Sequence, residues 1–326
     1  MVSMALPREG APAPVVRVFG WASLFVLGAF LINNVLTVGY GFPGVLGALA
    51  GNAMAFVQLA LYAIALGLAV FVVGRRSDIS LRWDAQTITR FNAYLIRAAF
   101  FGVFFVGLAD TFVAFLRVER MMEVVFSEAV AKSITQARDL AVYVHVPLML
   151  LGMVIALFVR TLGFTWLALL IVAAELAIVI SRFVFSYEQT FMGDLVRYWY
   201  AALFLFASAY TLIDEGHVRV DVLYAGFARR TKGKVNAFGA IMFGMTTCWV
   251  IIAMGFAGKA SIINSPVLNF EVSQAGPTGL YTKYQMAAFI GFFAITMLIQ
   301  FVAYLFEAVA DLREEPGRVE PSEPTH

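Results

Sequence analysis

The sequence predicts an all-α, polytopic integral membrane protein with about eight transmembrane helices and additional amphipathic helices at the membrane interface. Of its 326 residues, 61% are hydrophobic and only 13% are charged, and the mean hydropathy is +0.84. Soluble domains carry about 25% charged residues. Apolar stretches of about 20 residues recur along the chain, and in lipid such stretches satisfy their backbone hydrogen bonds as helices.

Eight apolar stretches are long enough to cross the hydrocarbon region. They lie at residues 18–39, 53–73, 95–116, 141–159, 162–181, 196–213, 236–258 and 284–306. The fourth and fifth meet near Arg160 and Gly163, and form either a very tight hairpin or one tilted or partly interfacial helix. With eight spans, the excess of Lys and Arg falls on the side that holds both termini, so both termini are predicted to be cytoplasmic.

Two stretches outside these spans have the apolar spacing of an amphipathic helix. In 119–140, apolar residues recur at i, i+3, i+4 and i+7 from Met122, and 218–231 shows the same spacing from Val220. Such helices lie in the headgroup plane or pack on a neighbour, and a solvated connector is the alternative. The tail, 311–326, is rich in Glu and Pro and is predicted to be disordered and cytoplasmic.

Composition and motifs exclude several classes of function. The net charge of +2 gives no surface for nucleic acid. Cys248 is the single cysteine and is expected to be a buried packing residue. The sequence has neither a phosphate-binding loop nor a G-x-S-x-G nucleophile motif. We therefore expect no enzyme, no cofactor and no metal site. An internal repeat with paired broken helices, common in secondary transporters, is also missing, so the chain is not expected to enclose a substrate path alone.

Three ionisable residues fall within predicted spans: Arg97, Asp110 and Glu175. Burying such groups in lipid is costly, so they invite functional hypotheses. One is a proton or ion relay. The other is an interhelical ion pair or hydrogen bond that fixes helix packing.

A dense group of charged residues interrupts the apolar pattern in "TLIDEGHVRVDVLY", residues 211–224. A metal site at His217 with neighbouring carboxylates offers a single nitrogen ligand and is disfavoured. We interpret the stretch as a membrane exit, in which Gly216 lets the backbone turn into the amphipathic helix. The basic end of that helix is expected to contact anionic membrane lipids.

The motif "EGHVRVDVLY" at 215–224 closely resembles the small membrane subunit, of DctQ type, of tripartite ATP-independent periplasmic (TRAP) transporters. Upstream, "SRFVF" at 181–185 and "MGDLVRYWY" at 192–200 are similar to two further segments of that family, although Gly193 replaces the first of two acidic residues. Downstream, "NSPVL" at 264–268 and "GPTGLYTKY" at 276–284 resemble the loop before the family's last helix.

The resemblance implies a small permease subunit that serves as a scaffold in a sodium-coupled secondary transporter of the bacterial inner membrane. Its partners would be the large TRAP membrane subunit, which holds the sodium and solute sites, and a periplasmic binding protein that delivers an organic acid or related solute. A self-contained secondary transporter, or a membrane redox or enzyme subunit, is the alternative.

The resemblance also assigns domains and contact residues. Residues 160–310 would form the four-helix family domain, 1–159 an N-terminal extension with about four membrane helices, and 311–326 the tail. The motif residues are expected to contact a partner at the cytoplasmic interface: Glu215, Gly216, His217, Arg219 and Asp221. The other candidate interface residues are Arg182, Asp194 and Arg197.

Overall fold

The computed structural model describes residues 8–160, 164–213, 224, 226–273 and 278–317. These residues form helices and contain no strand; the one isolated bridge among them joins Glu9 to Ile79. The predicted all-α membrane fold is confirmed.

Eight long helices make up most of the described chain. They are α1 (Pro14–Tyr40), α2 (Ala53–Arg75), α3 (Leu81–Val118), α4 (Ala137–Phe158), α5 (Phe164–Phe185), α6 (Thr190–Ile213), α7 (Arg229–Gly255) and α8 (Lys283–Leu312). Short helices lie at Val45–Ala50, Met122–Val125, Glu128–Ile134 and Asn264–Leu268. Among the described residues, seven helices are long and apolar enough to span a membrane, against the predicted count of about eight.

Helix α6 accounts for the difference in number. It has 24 residues and contains the predicted span 196–213, but it is not one of the seven. Its first half carries Asp194 and Arg197 among tyrosines and tryptophan, which lowers its hydropathy. Helix α3 is longer than predicted. It has 38 residues and begins at Leu81, well before the predicted start at 95. At about 57 Å it exceeds the hydrocarbon thickness of about 30 Å.

The predicted amphipathic helix over 119–140 is wrong as a continuous element. The backbone is extended at Phe126 and again at Gln136, which divides the segment into short helices. These breaks let the segment turn its apolar side chains onto one core cluster, formed by Val113, Leu116, Met122, Ala131, Ile134, Leu140 and Tyr281. The junction at 161–163 and most of the predicted helix 218–231 lie outside the described residues.

The chain divides into two compact units. The first contains 1–92, 211–254 and 297–326, and the second contains 93–210 and 255–296. Each unit combines segments from both sides of the boundary predicted at 160, and that boundary stays a prediction. Helix α8 ends at Leu312, so the predicted tail begins inside it, and residues 318–326 lie outside the described chain.

In the first unit, α1 and α2 pair along their length. Gln58 is wholly buried and donates to Thr37 Oγ1 at 2.8 Å, and Asn33 donates to the carbonyl of Gln58 at 3.1 Å. Helix α1 also packs closely on α8, because a Cβ at Gly20 would lie 2.5 Å from the ring of Phe306. Glycine here permits a contact that any side chain would block.

In the second unit, aromatic side chains form much of the core. Phe206 is buried and meets Phe100, Phe289 and Phe292, with ring centroids 4.8–5.7 Å apart. Helices α3 and α4 approach through glycine, since a Cβ at Gly152 would lie 2.6 Å from the backbone nitrogen of Gly102.

Candidate functional site

The most polar interior of the second unit surrounds the segment Gly279–Gln285, which leads into α8 and belongs to the sequence quoted above for its family resemblance. The segment is held by side chains from α3, α4 and α6. Leu280 and Thr282 are wholly buried, and Tyr281 and Tyr284 nearly so. Buried backbone groups in such a loop require partners, and side chains supply them here. We call this set of contacts the polar clamp.

Two carboxylates accept hydrogen bonds from adjacent backbone N–H groups of the segment. Asp110 Oδ2, from α3, accepts from Tyr281 N at 2.6 Å, and Asp194 Oδ2, from α6, accepts from Leu280 N at 3.2 Å. Both carboxylates are buried. They lie just before the N-terminus of α8, where the helix dipole favours negative charge.

Arg117 completes this side of the clamp. Its Nη2 donates to the carbonyl of Gly279 at 3.0 Å, and its guanidinium lies over the ring of Tyr281, 3.8 Å from the centroid. The arginine is almost fully buried. It therefore fixes both the backbone and one side chain of the segment, with a cation–π contact of the kind that strengthens when water is excluded.

A chain of hydrogen bonds runs from α4 through the start of α8 to α6. His145 Nδ1 lies 2.9 Å from Tyr284 Oη, which accepts from Gln285 Nε2 at 2.9 Å. Tyr198 of α6 in turn donates to Gln285 Oε1. His145 is wholly buried, and its Nε2 is 4.0 Å from Asp110 Oδ2. It ends a π-helical segment, Ala141–His145, two residues before Pro147, which has no N–H to donate.

The clamp brings together two of the predicted residues, Asp110 and Asp194. Arg197 lies beside Asp194, with Nη1 3.4 Å from Oδ1, but its side chain is 72% exposed. Asp110 therefore has the contacts of an interhelical brace, and the relay stays a hypothesis. Sequence reasoning did not pick out Arg117, Tyr281 or Tyr284, although all three lie beside or within the quoted family segments or spans.

Arg182 lies at the end of α5, in an exposed cluster. Its Nε is 3.2 Å from Glu188 Oε2. Nearby in sequence, Tyr187 Oη donates to Glu119 Oε1 at 2.7 Å. Partial burial, together with the Glu119 carboxylate, raises the pKa of Tyr187 to about 12, so the phenol stays a neutral donor at physiological pH.

The other two predicted intramembrane residues have no such contacts. Arg97 is half-buried, and its Nε has no hydrogen-bond partner among the described residues. Glu175 is exposed in the middle of α5. The motif residues Glu215, Gly216, His217, Arg219 and Asp221 lie outside the described residues, so their predicted contacts stay predictions.

The first unit has an ionic network of its own, which sequence reasoning missed. Arg82 is buried and bonds to Glu307, to Asp311 at 2.7 Å and to the carbonyl of Pro316 at 3.1 Å. Arg229 adds bonds to Asp311 at 3.4 Å and to the carbonyl of Glu315 at 2.6 Å. Both arginines therefore bind residues at the C-terminal end of α8 and just beyond it.

A buried pair lies in the same unit. Arg17 Nε is 3.1 Å from Asp84 Oδ2, and both side chains are buried. Arg17 also donates to the carbonyls of Arg76 and Ser77, at 2.8 and 2.9 Å. In the sequence, Arg17 lies near the start of α1 and Asp84 follows α2. Charged residues at such positions are equally typical of loops, so the sequence did not indicate a buried pair.

The described residues show no group of three or more His, Cys, Asp or Glu side chains placed to hold a metal ion. Asp110, Asp194 and His145 instead serve backbone and tyrosine partners. The contacts of the clamp support rigid positioning of the segment before α8 rather than a role in catalysis.

Residues 169–311 match the sequence model of a family described as "Tripartite ATP-independent periplasmic transporters, DctQ component". The matched range contains α6 and α7, all but the last residue of α8 and most of α5. No curated protein and no solved structure shows significant similarity to the chain. Helices α1 to α4 precede the matched range, consistent with an N-terminal helical extension. Over residues 169–311, less than half of the chain, the sequence is similar to the DctQ component, and this similarity supports a small membrane subunit of a TRAP transporter.

Proposed function

We propose that this chain is the static scaffold subunit of a sodium-coupled TRAP transporter in the bacterial inner membrane. It works with a large membrane subunit that carries the sodium and solute sites, and with a periplasmic protein that delivers an organic acid or related solute. Both termini face the cytoplasm. The match to the DctQ family over 169–311 carries this proposal.

The contacts of the described residues support a static role. In the second unit, two helices, α3 and α6, hold the start of α8 through buried hydrogen bonds to Asp110, Asp194 and Arg117. In the first unit, Arg82 and Arg229 bind the end of the same helix. Within each unit, the paired buried polar groups favour one arrangement, since movement would leave them unpaired.

Reconstitution tests the proposal. Vesicles would contain this chain together with the large membrane subunit of the same transporter. The binding protein would be added outside with its solute, identified first by a thermal-shift screen of carboxylic acids. We expect uptake that requires an inward sodium gradient and all three proteins. Omitting this chain should abolish uptake while the solute affinity of the isolated binding protein stays unchanged. Uptake by this chain alone would overturn the proposal.

A further inference from the structure

Helix α5 carries an acidic side chain at its middle with nothing described to cover it. The helix has 22 residues and is about 33 Å long, and Glu175 lies about 16 Å from either end. A glutamate side chain is too short to reach the headgroups from that depth, unlike the long Lys and Arg side chains that do so near helix ends. Glu175 is exposed, and it makes no hydrogen bond or ion pair with the residues that the structure describes.

The surroundings of Glu175 on α5 are apolar and equally uncovered. Val172, Leu176, Val179 and Phe183 are 63%, 57%, 48% and 78% exposed. With Glu175 they occupy positions i, i+3, i+4, i+7 and i+11, which is one face of a helix. We call these five residues the Glu175 face. Leu167 and Ile171 are buried against the unit, and Ile171 lies one turn before Glu175, at the edge of this face.

Lipid is a poor neighbour for this face because a carboxylate at mid-membrane depth is costly without a donor. A second copy of the chain is also poor. In a parallel two-fold contact through the Glu175 face, each Glu175 would meet another carboxylate at the same depth, and like charges repel. No Lys or Arg lies between residues 161 and 181 to compensate.

We propose that the Glu175 face is a docking surface for the large membrane subunit, and that Glu175 accepts a hydrogen bond or ion pair from a donor side chain at the middle of a partner helix. The inference rests on the proposed function and names the surface used. The apolar neighbours supply packing, while the carboxylate fixes the depth and rotation of the partner helix. An interhelical polar contact of this type acts as a register device in lipid.

The test is a binding titration in detergent between this chain and the large subunit, with Glu175→Gln and Glu175→Leu compared with the native protein. Loss of a charge-assisted hydrogen bond should weaken association roughly tenfold to a hundredfold for Glu175→Leu, and less for Glu175→Gln, which keeps an acceptor oxygen. The thermal midpoint of the isolated chain should stay unchanged in both variants. Equal affinity of all three proteins would overturn the inference.

Photo-cross-linking provides a second readout that does not depend on removing the carboxylate. A benzophenone amino acid at Val179, on the Glu175 face, should cross-link to the large subunit in cell membranes. The matched control is Val184, which is 67% exposed and lies on the opposite side of α5; it should cross-link far less. A product between two copies of this chain, or none with the large subunit, would overturn the inference. If the native proteins associate but the cross-links lie elsewhere, the proposed function survives and this surface does not. If they never associate, both fall.

Discussion

Asp110 and Glu175 are both carboxylates on apolar helices of the second unit, yet their surroundings are opposite. Asp110 is wholly buried and accepts the Tyr281 N–H, with Arg117 and His145 close by. Glu175 is exposed on an uncovered apolar face. The comparison shows that the role of an intramembrane carboxylate has to be inferred from its contacts. The first carboxylate serves the fold, whereas the second indicates a partner.

The largest effect is expected from Asp110→Ala. It removes the acceptor of the Tyr281 N–H and leaves that group buried and unpaired, at a cost of about 3 kcal/mol. The thermal midpoint of the purified chain in detergent should fall clearly. Asp110→Asn is the matched control, because it keeps one acceptor oxygen and should lose less. Equal midpoints for the native protein and the alanine variant would show that the clamp does not stabilise the fold.

The next effect concerns the close packing of α3 against α4. In Gly152→Ala, the added Cβ would overlap the backbone of Gly102, so α3 and α4 must separate. Such overpacking costs about 1–3 kcal/mol, again measured as a fall in the thermal midpoint. The control is Gly193→Ala, since nothing lies within 4 Å of a Cβ there. That variant should be neutral or gain up to about 1 kcal/mol from helix propensity. Similar losses in both variants would contradict the close approach.

A smaller effect is expected from His145→Phe. The substitution keeps an aromatic ring but removes the hydrogen bond to Tyr284, at a cost of about 1 kcal/mol. Tyr284→Phe should give a similar loss. The double variant should lose less than the sum, because the two residues share one bond. Strict additivity of the midpoint shifts would mean that the two side chains act independently.

The smallest effect in the isolated chain is expected from Glu175→Gln. Because Glu175 has no described partner, the change in unfolding free energy should stay within about 0.5 kcal/mol. Circular dichroism melts of the isolated chain would measure it. A large loss would place Glu175 with Asp110, as a residue that supports the fold, and would remove the contrast drawn above.

Much of the fold could be predicted because hydropathy fixes where a chain can cross lipid. The first two spans, 18–39 and 53–73, lie inside α1 and α2. The extent of α3 could not be predicted in this way, since its polar start, with Arg82 and Asp84, reads as a loop. Those charges are tolerated in a helix because other elements supply their partners.

The site was harder to predict for the same reason. Asp110 and Asp194 stood out by their residue type, but their targets are backbone N–H groups at Tyr281 and Leu280, which leave no mark in a sequence. Arg117 follows the predicted span 95–116, and a basic residue at the end of a span is ordinary, so its type does not single it out. The motif at 215–221, the most specific pattern in the chain, lies outside the described residues.

The adjacent N–H groups of Leu280 and Tyr281 donate to carboxylates from different parts of the chain. Asp110, the acceptor for Tyr281, precedes the matched range 169–311, whereas Asp194, the acceptor for Leu280, lies within it. A truncated protein that starts after residue 159 would therefore keep Asp194 and lose Asp110 together with Arg117. The helices before residue 159 therefore contribute side chains that hold the segment before α8.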